Sequence, residues 1–176
     1  MHKVILGIGT NIGDRFFFLQ SAVNLILEDK LISDVNASSI YESKALLPDD
    51  APQEWEKDFL NMAICGFCKL QPLDLLKKIK LIEKNIGRKD RGFWSPREID
   101  IDILAFGDVV TFSQKLIIPH SEFLKRNFAF LPAAEIYPEW IYPKNDLFFQ
   151  KTLEEIISEV SIDCDNIKKT NYKITL

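Results

Sequence analysis

Apolar and polar residues alternate in ways that divide the chain into short elements. Lys3 to Ile8 is a short apolar run ended by glycine, which predicts a buried strand. After the turn Gly9-Thr10-Asn11-Ile12-Gly13, Asp14 is placed to cap a helix. Phe16, Leu19, Val23, Ile26 and Leu27 recur at helical spacing up to Asp29 or Lys30. A second strand is predicted over Asp34 to Ser43, followed by an irregular acidic loop from Lys44 to Lys57.

Phe59 to Leu70 alternates again, with Leu60, Met62, Ile64, Cys68 and Leu70 on one face. Pro72 suits a helix first turn, Leu76, Ile79, Ile82 and Ile86 share one helical face, and Gly87 fits the C′ position. A second irregular loop covers Arg88 to Pro96. Glu98 to Phe106 reads as a strand that turns at Gly107-Asp108 and returns through Val109 to Phe112 or, preferably, Lys115 to Ile118. A short helix is predicted over Phe128 to Ile136, and Thr152 to Val160 can form a capped amphipathic helix.

The order β-α-β, β-α-β in so short a chain fits an α+β, ferredoxin-like split β-α-β sandwich with extra strands and helices, in three α-β-α layers. It fits a doubly wound sheet less well. The expected division is a domain over residues 1–144 and a C-terminal extension or linker over 145–176.

Composition narrows the partners. The 176 residues are 47% apolar, which excludes a mainly disordered chain, and the net charge of −4 argues against a broad nucleic-acid-binding face. No apolar run reaches the ~18 residues of a membrane span, and the N-terminus does not read as a signal peptide, so the cytoplasm is the expected location. Cys65 and Cys68 match C-x-x-C, the spacing of a redox pair. On a strand, however, residues three apart point to opposite faces, and two small strand residues is the preferred reading.

Three stretches could carry chemistry. Gly7 to Gly13 follows a strand and opens a helix, but its G-x-G-x-x-x-G spacing departs from the dinucleotide fingerprint; a tight turn is the alternative. In Ile99-Asp100-Ile101-Asp102-Ile103 both carboxylates share one strand face, ~7 Å apart. Either that face is solvated, or a divalent cation such as Mg2+ relieves the repulsion and gathers substrate phosphate oxygens. Of only five arginines, Arg88, Arg91 and Arg97 lie just upstream, and a guanidinium fork suits phosphate. Trp94 in the same loop can cover a flat ring, and His120 can donate to phosphate or be structural.

The run W-S-P-R-E-I-D-I-D-I-L, with I-E-K-N-I-G-R upstream and I-P-H-S-E-F-L-K-R-N-F downstream, resembles the 6-hydroxymethyl-7,8-dihydropterin pyrophosphokinases of folate biosynthesis. G-I-G-T-N-I-G-D-R and D-F-L-N-M-A extend the resemblance over roughly residues 2 to 143. It implies transfer of the β,γ-diphosphate of ATP to the pterin hydroxymethyl oxygen, with two Mg2+ ions on Asp100 and Asp102.

The resemblance also implies site roles. Arg97, Trp94 and Arg88 join the aspartates as catalytic residues, and Glu83, Arg97, Ile103, Lys115, His120 and Arg126 bind ATP. Ser43, Leu46, Phe59, Asn61 and Phe128 bind the pterin, with the two phenylalanines stacking on the ring and the Asn61 amide pairing with its edge. Lys115 stands where that family often has arginine, and Ser121 where it often has tyrosine. Some members are fused to dihydropteroate synthase, so residues 145–176 are expected to be a linker to such a domain or an ordinary C-terminal helix. A chain that stands alone is expected to be a monomer. The competing readings are a phosphotransferase using the same acid pair on another acceptor, and a non-catalytic ligand-binding module.

Overall fold

The computed structural model describes residues 1–160 and 166–176; Cys164 lies outside them. Strand β1 (His2–Thr10) leads into helix α1 (Arg15–Glu28), which begins where the Asp14 carboxylate accepts the Phe17 N–H at 3.0 Å. Next come β2 (Ser33–Ala37), β3 (Tyr41–Ser43), β4 (Phe59–Cys68) and α2 (Pro72–Ile86), whose end is closed by left-handed Gly87. The chain continues through β5 (Asp100–Phe106), β6 (Thr111–Phe112), β7 (Ile117–Ile118), α3 (Asn127–Ile136), α4 (Leu153–Glu159) and β8 (Ile167–Lys169).

The main sheet is antiparallel in the order β5-β1-β4-β3-β8, with β2 also on β4. Helices α1 and α2 cover one face around a core that includes Leu6, Ile8, Met62, Ile64, Ile101 and Ile103. Helices α3 and α4 cover the other, around Ile5, Ala63, Cys65, Phe130, Leu153 and Ile156. The result is the α-β-α sandwich expected of the split β-α-β order.

Several elements differ in detail from the sequence reading. The single strand expected over Asp34 to Ser43 is two, because Ser38 sits in a bulge. Ala37 opposes Ile64 and Tyr41 opposes Asn61, one residue too many on the outer strand. The Ser38 hydroxyl takes the Ala63 N–H at 2.9 Å in place of a backbone carbonyl. The strand expected to return from Gly107 does not pair with β5; β6 and β7 pair with each other in a small separate sheet. On α2 the fully buried positions are Leu75, Ile79, Ile82 and Glu83, while Leu76 and Ile86 pack at the margin.

Cys65 and Cys68 are both buried on opposite faces of β4, as alternation requires, and burial pushes both thiols above the ordinary range. That arrangement excludes a disulfide between them. Beyond residue 145, α4 begins in a capping box formed by Thr152 and Glu155. Strand β8 extends the sheet along β3, Tyr172 stacks on Phe16 with centroids 5.1 Å apart, and Gln20 exchanges two hydrogen bonds with the Thr175 backbone. Among the described residues, no helix is long and apolar enough to cross a membrane.

Candidate active site

The site forms on the α3 side of the sheet, where β1 lies between β4 and β5. Gly9 is opposite Asn61 on one flank and Asp100 on the other; Gly7 is opposite Ala63 and Asp102. Strands lie ~4.8 Å apart, so the row Asn61-Gly9-Asp100 spans roughly 10 Å. The two glycines keep its middle low. A Cβ on Gly9 would lie 2.9 Å from Asn61 Oδ1, and one on Gly7 3.1 Å from the Leu104 side chain. Above this floor is a cavity of about 270 Å³.

Ten of the expected site residues line this cavity: Leu46, Phe59, Asn61, Trp94, Arg97, Asp100, Asp102, His120, Arg126 and Phe128. Phe59 enters from the first residue of β4, and Phe128 from the first turn of α3. Asn61 is buried, and its Nδ2 donates to Ser43 Oγ at 2.9 Å. That bond fixes the amide and leaves Oδ1 and the second N–H to pair with a ligand edge. Ser43 therefore stands behind Asn61 and does not line the cavity. His120 Nδ1 accepts the Glu122 N–H at 3.3 Å, so in the neutral ring Nε2 carries the proton. Glu122 also accepts from Arg126 Nε at 2.9 Å and holds that guanidinium at the rim.

A second cavity of about 570 Å³ adjoins the first at Arg97, which lines both. Its walls carry Lys80, Lys84, Arg88, Lys89, Arg91 and Arg97 against the acids Glu83 and Asp90, a strong bias toward a polyanion. The carboxylates at the junction are unevenly matched. Asp100 is gripped by Arg88 and Arg97, each at 2.6 Å. Asp102, half-buried on the same face, has no paired cation among the described residues. Burial first, and then the charge of Asp100, hold its carboxyl above the usual range.

Glu83, nearly fully buried, accepts the Ile101 N–H and Lys80 Nζ at 2.8 Å each and Arg88 at 2.7 Å. It thereby anchors the start of β5 and aims Arg88. Burial alone would weaken the Arg88 cation, but Asp100 and Glu83 outweigh it and raise its pKa. Arg91 turns elsewhere, bonding Glu98, and its hydrogen bonds bring that carboxyl down to about 2.

Two expected nucleotide residues stand apart. Ile103 alternates with Asp102, so its side chain points into the core under α1 and α2 and lines neither cavity. Lys115 is exposed in the turn between β6 and β7 and also lines neither. The close backbone approach that the glycines suggested is found on the strand itself, where Gly7 and Gly9, two apart on β1, form one bare face, and not in the turn that follows. The sequence reading missed Lys80, which shares Glu83 with Arg88.

A family model for 7,8-dihydro-6-hydroxymethylpterin-pyrophosphokinase matches residues 5–138. A 2-amino-4-hydroxy-6-hydroxymethyldihydropteridine pyrophosphokinase of Aquifex aeolicus is 40% identical over 159 residues, 90% of this chain and 92% of that protein. A folate synthesis bifunctional protein of Chlamydia caviae is 37% identical over 142 residues, 80% of this chain and 32% of that protein. Among solved structures, wild-type Plasmodium falciparum HPPK-DHPS with pteroate shares the fold at 17% identity and a TM-score of 0.66, over 90% of this chain and 44% of that one. The chain belongs to the 7,8-dihydro-6-hydroxymethylpterin-pyrophosphokinase family.

Proposed function

We propose that the chain transfers the β,γ-diphosphate of ATP to the hydroxymethyl oxygen of 6-hydroxymethyl-7,8-dihydropterin, releasing AMP, as a step of folate biosynthesis. The observation that carries this reading is the row Asn61-Gly9-Asp100. It sets an amide for a heterocycle edge about one ring system away from an acid pair, at the mouth of a cationic cavity.

Asp100 and Asp102 suit two Mg2+ ions. They are oxygen donors on one face of one cavity, and among the described residues no third His, Cys, Asp or Glu gathers with them. Mg2+ completes its shell with water and substrate phosphate oxygens. When bound, the metal would neutralise charge developing on the transferred phosphates.

The remaining work falls to positioning. Phe59 and Phe128 hold the pterin by its faces and Asn61 by its edge, so the hydroxymethyl group points along the floor toward Asp100. Arg97, at the junction of the cavities, and His120 Nε2–H hold phosphate oxygens. The pterin oxygen attacks the β-phosphorus, and the bond from that phosphorus to the α-bridging oxygen breaks. AMP leaves with the electron pair, and the hydroxyl proton passes to solvent. Arg88 and Arg97 contact Asp100 at the junction of the two cavities, where their guanidinium groups can take up phosphate charge. The loop carrying half-exposed Trp94 covers the site and excludes water.

On this reading residues 1–144 carry the chemistry, while α4 packs beside α3 and β8 extends the sheet edge. The enzyme acts in the cytoplasm, as a monomer where it is not fused to a second domain. The test mixes the chain with ATP, Mg2+ and the pterin and separates nucleotides. AMP in step with pterin diphosphate is expected. ADP would mean transfer of a single phosphoryl group and would overturn the reading, as would the absence of any product.

A further inference from the structure

Asn11 lines neither cavity, yet it ties together the two segments that do. It follows the last residue of β1 and is only 4% exposed. Its backbone N–H donates to the Arg97 carbonyl at 3.2 Å, and its Oδ1 accepts the Arg97 N–H at 2.8 Å. Main chain and side chain together thus satisfy both backbone groups of Arg97, three residues before β5 begins. The remaining amide donor, Nδ2, gives a hydrogen bond at 3.3 Å to the carbonyl of Lys57, two residues before Phe59.

One short planar amide therefore closes the far ends of both irregular segments, 44–58 and 87–99. Each end delivers a site residue: Phe59 to the face of the first cavity, Arg97 to the junction and to Asp100 at 2.6 Å. The neighbouring Arg15 pins the first segment a second time, donating to the Asp58 carbonyl at 2.8 Å; nothing comparable duplicates the Asn11 bonds to the Arg97 backbone among the described residues. Only asparagine supplies an acceptor and a donor at this reach. Aspartate lacks the donor, serine has a single atom, and glutamine is one methylene too long.

We infer that Asn11 is a positioning residue that couples the pterin end of the site to the phosphate end by holding Phe59 and Arg97 in one frame. The inference rests on the proposed function for what the two ends bind, but not for the clamp itself.

Two substitutions in the full chain separate the arms. Asn11→Asp keeps the acceptor for Arg97 and removes the donor to Lys57. Pterin affinity should fall roughly 10-fold while ATP affinity stays within about 2-fold. Asn11→Ala removes both side-chain bonds; both affinities should fall, and kcat by roughly 30-fold or more, because the Arg97 backbone, left with the single main-chain bond to residue 11, no longer fixes its guanidinium against the phosphates. Equal losses for both ligands in Asn11→Asp, or near-normal constants in Asn11→Ala, would overturn the coupling. Amide exchange without ligand reads the clamp directly. The Arg97 N–H should exchange slowly in the wild type and in Asn11→Asp, and quickly in Asn11→Ala; the same rate in all three would refute the clamp. A wild type that binds neither ligand refutes the proposed function instead and leaves the exchange result to decide on Asn11.

Discussion

The two faces of strands β1, β4 and β5 come from the same residues in alternation and do opposite things. Toward α1 and α2 they present Leu6, Ile8, Met62, Ile64, Ile101 and Ile103, each 2% exposed or less, a dry apolar layer. Toward α3 the interleaved positions are Gly7, Gly9, Phe59, Asn61, Asp100 and Asp102. Farther along, that second face is sealed by Ile5, Ala63, Cys65, Phe130 and Trp140, so only one end stays open. Stability and chemistry are thus separated by a single residue step, and each can be perturbed through its neighbour.

The largest expected effect is on the dry face. Ile101→Ala removes a fully buried side chain between two site carboxylates and should cost about 2–5 kcal/mol of stability. Below the lowered melting point, kcat should stay within a few-fold, because the Ile101 N–H that bonds Glu83 remains. Denaturant midpoints with kinetics at 15–20 °C check this, and a collapse of kcat in protein shown to be folded would erase the separation of faces.

On the wet face the order reverses. Asp100→Asn and Asp102→Asn should each lower kcat by ~10²-fold or more, since the charge they manage develops in the transition state. Melting temperature should hold or rise in Asp102→Asn, which relieves a like-charge repulsion in a half-buried place. Rates near wild type across a Mg2+ titration would remove the metal assignment.

A finer probe is the floor. In Gly9→Ala the new methyl carbon meets Asn61 Oδ1 at 2.9 Å, and the amide must rotate away from Ser43. Calorimetry should show pterin binding weaker by roughly 10-fold, the scale of one lost buried hydrogen bond, with ATP binding unchanged. Equal weakening of both ligands would mean the floor serves the whole site and not its pterin end.

Period-two alternation made much of this legible. The stretch Ile99 to Ile103 announces two carboxylates on one face and a core on the other, and needs no partner to be read. The Asp14 and Thr152 caps are local too. What escaped depends on distant closure. The resemblance marks Glu83 as a site residue, but its burial and its grip on the start of β5 show only when Ile101 and Arg88 arrive beside it. The Ser38 bulge shows only against β4, and the place of β8 at the sheet edge only once β3 is there to receive it. Ile103 is instructive in the other direction. Alternation puts its side chain in the core, where the structure has it, so any contact it makes with a nucleotide is through its backbone.

The smallest expected effect lies where the second face meets the sheet edge. Glu135, near the end of α3, accepts from Ser39 Oγ and Tyr41 OH at 2.7 Å each and from the Ser39 N–H at 3.3 Å, with Lys169 of β8 at 3.4 Å. Burial by itself would raise this carboxyl, but those donors and the lysine bring it below its ordinary 4.5. A carboxyl lowered by folding contributes stability that is complete above its unfolded value and fades as pH falls through the folded one. Glu135→Gln keeps the shape and loses the charge, and should cost about 1 kcal/mol at pH 7, or roughly 2–4 °C in Tm for a chain of this size. The gap between wild type and variant should begin to close below about pH 4.5 and continue closing toward pH 3. Melting curves across that range decide it. A constant gap would show that the neutral hydrogen bonds lost with the second acceptor oxygen, and not the charge, join α3 to the sheet edge.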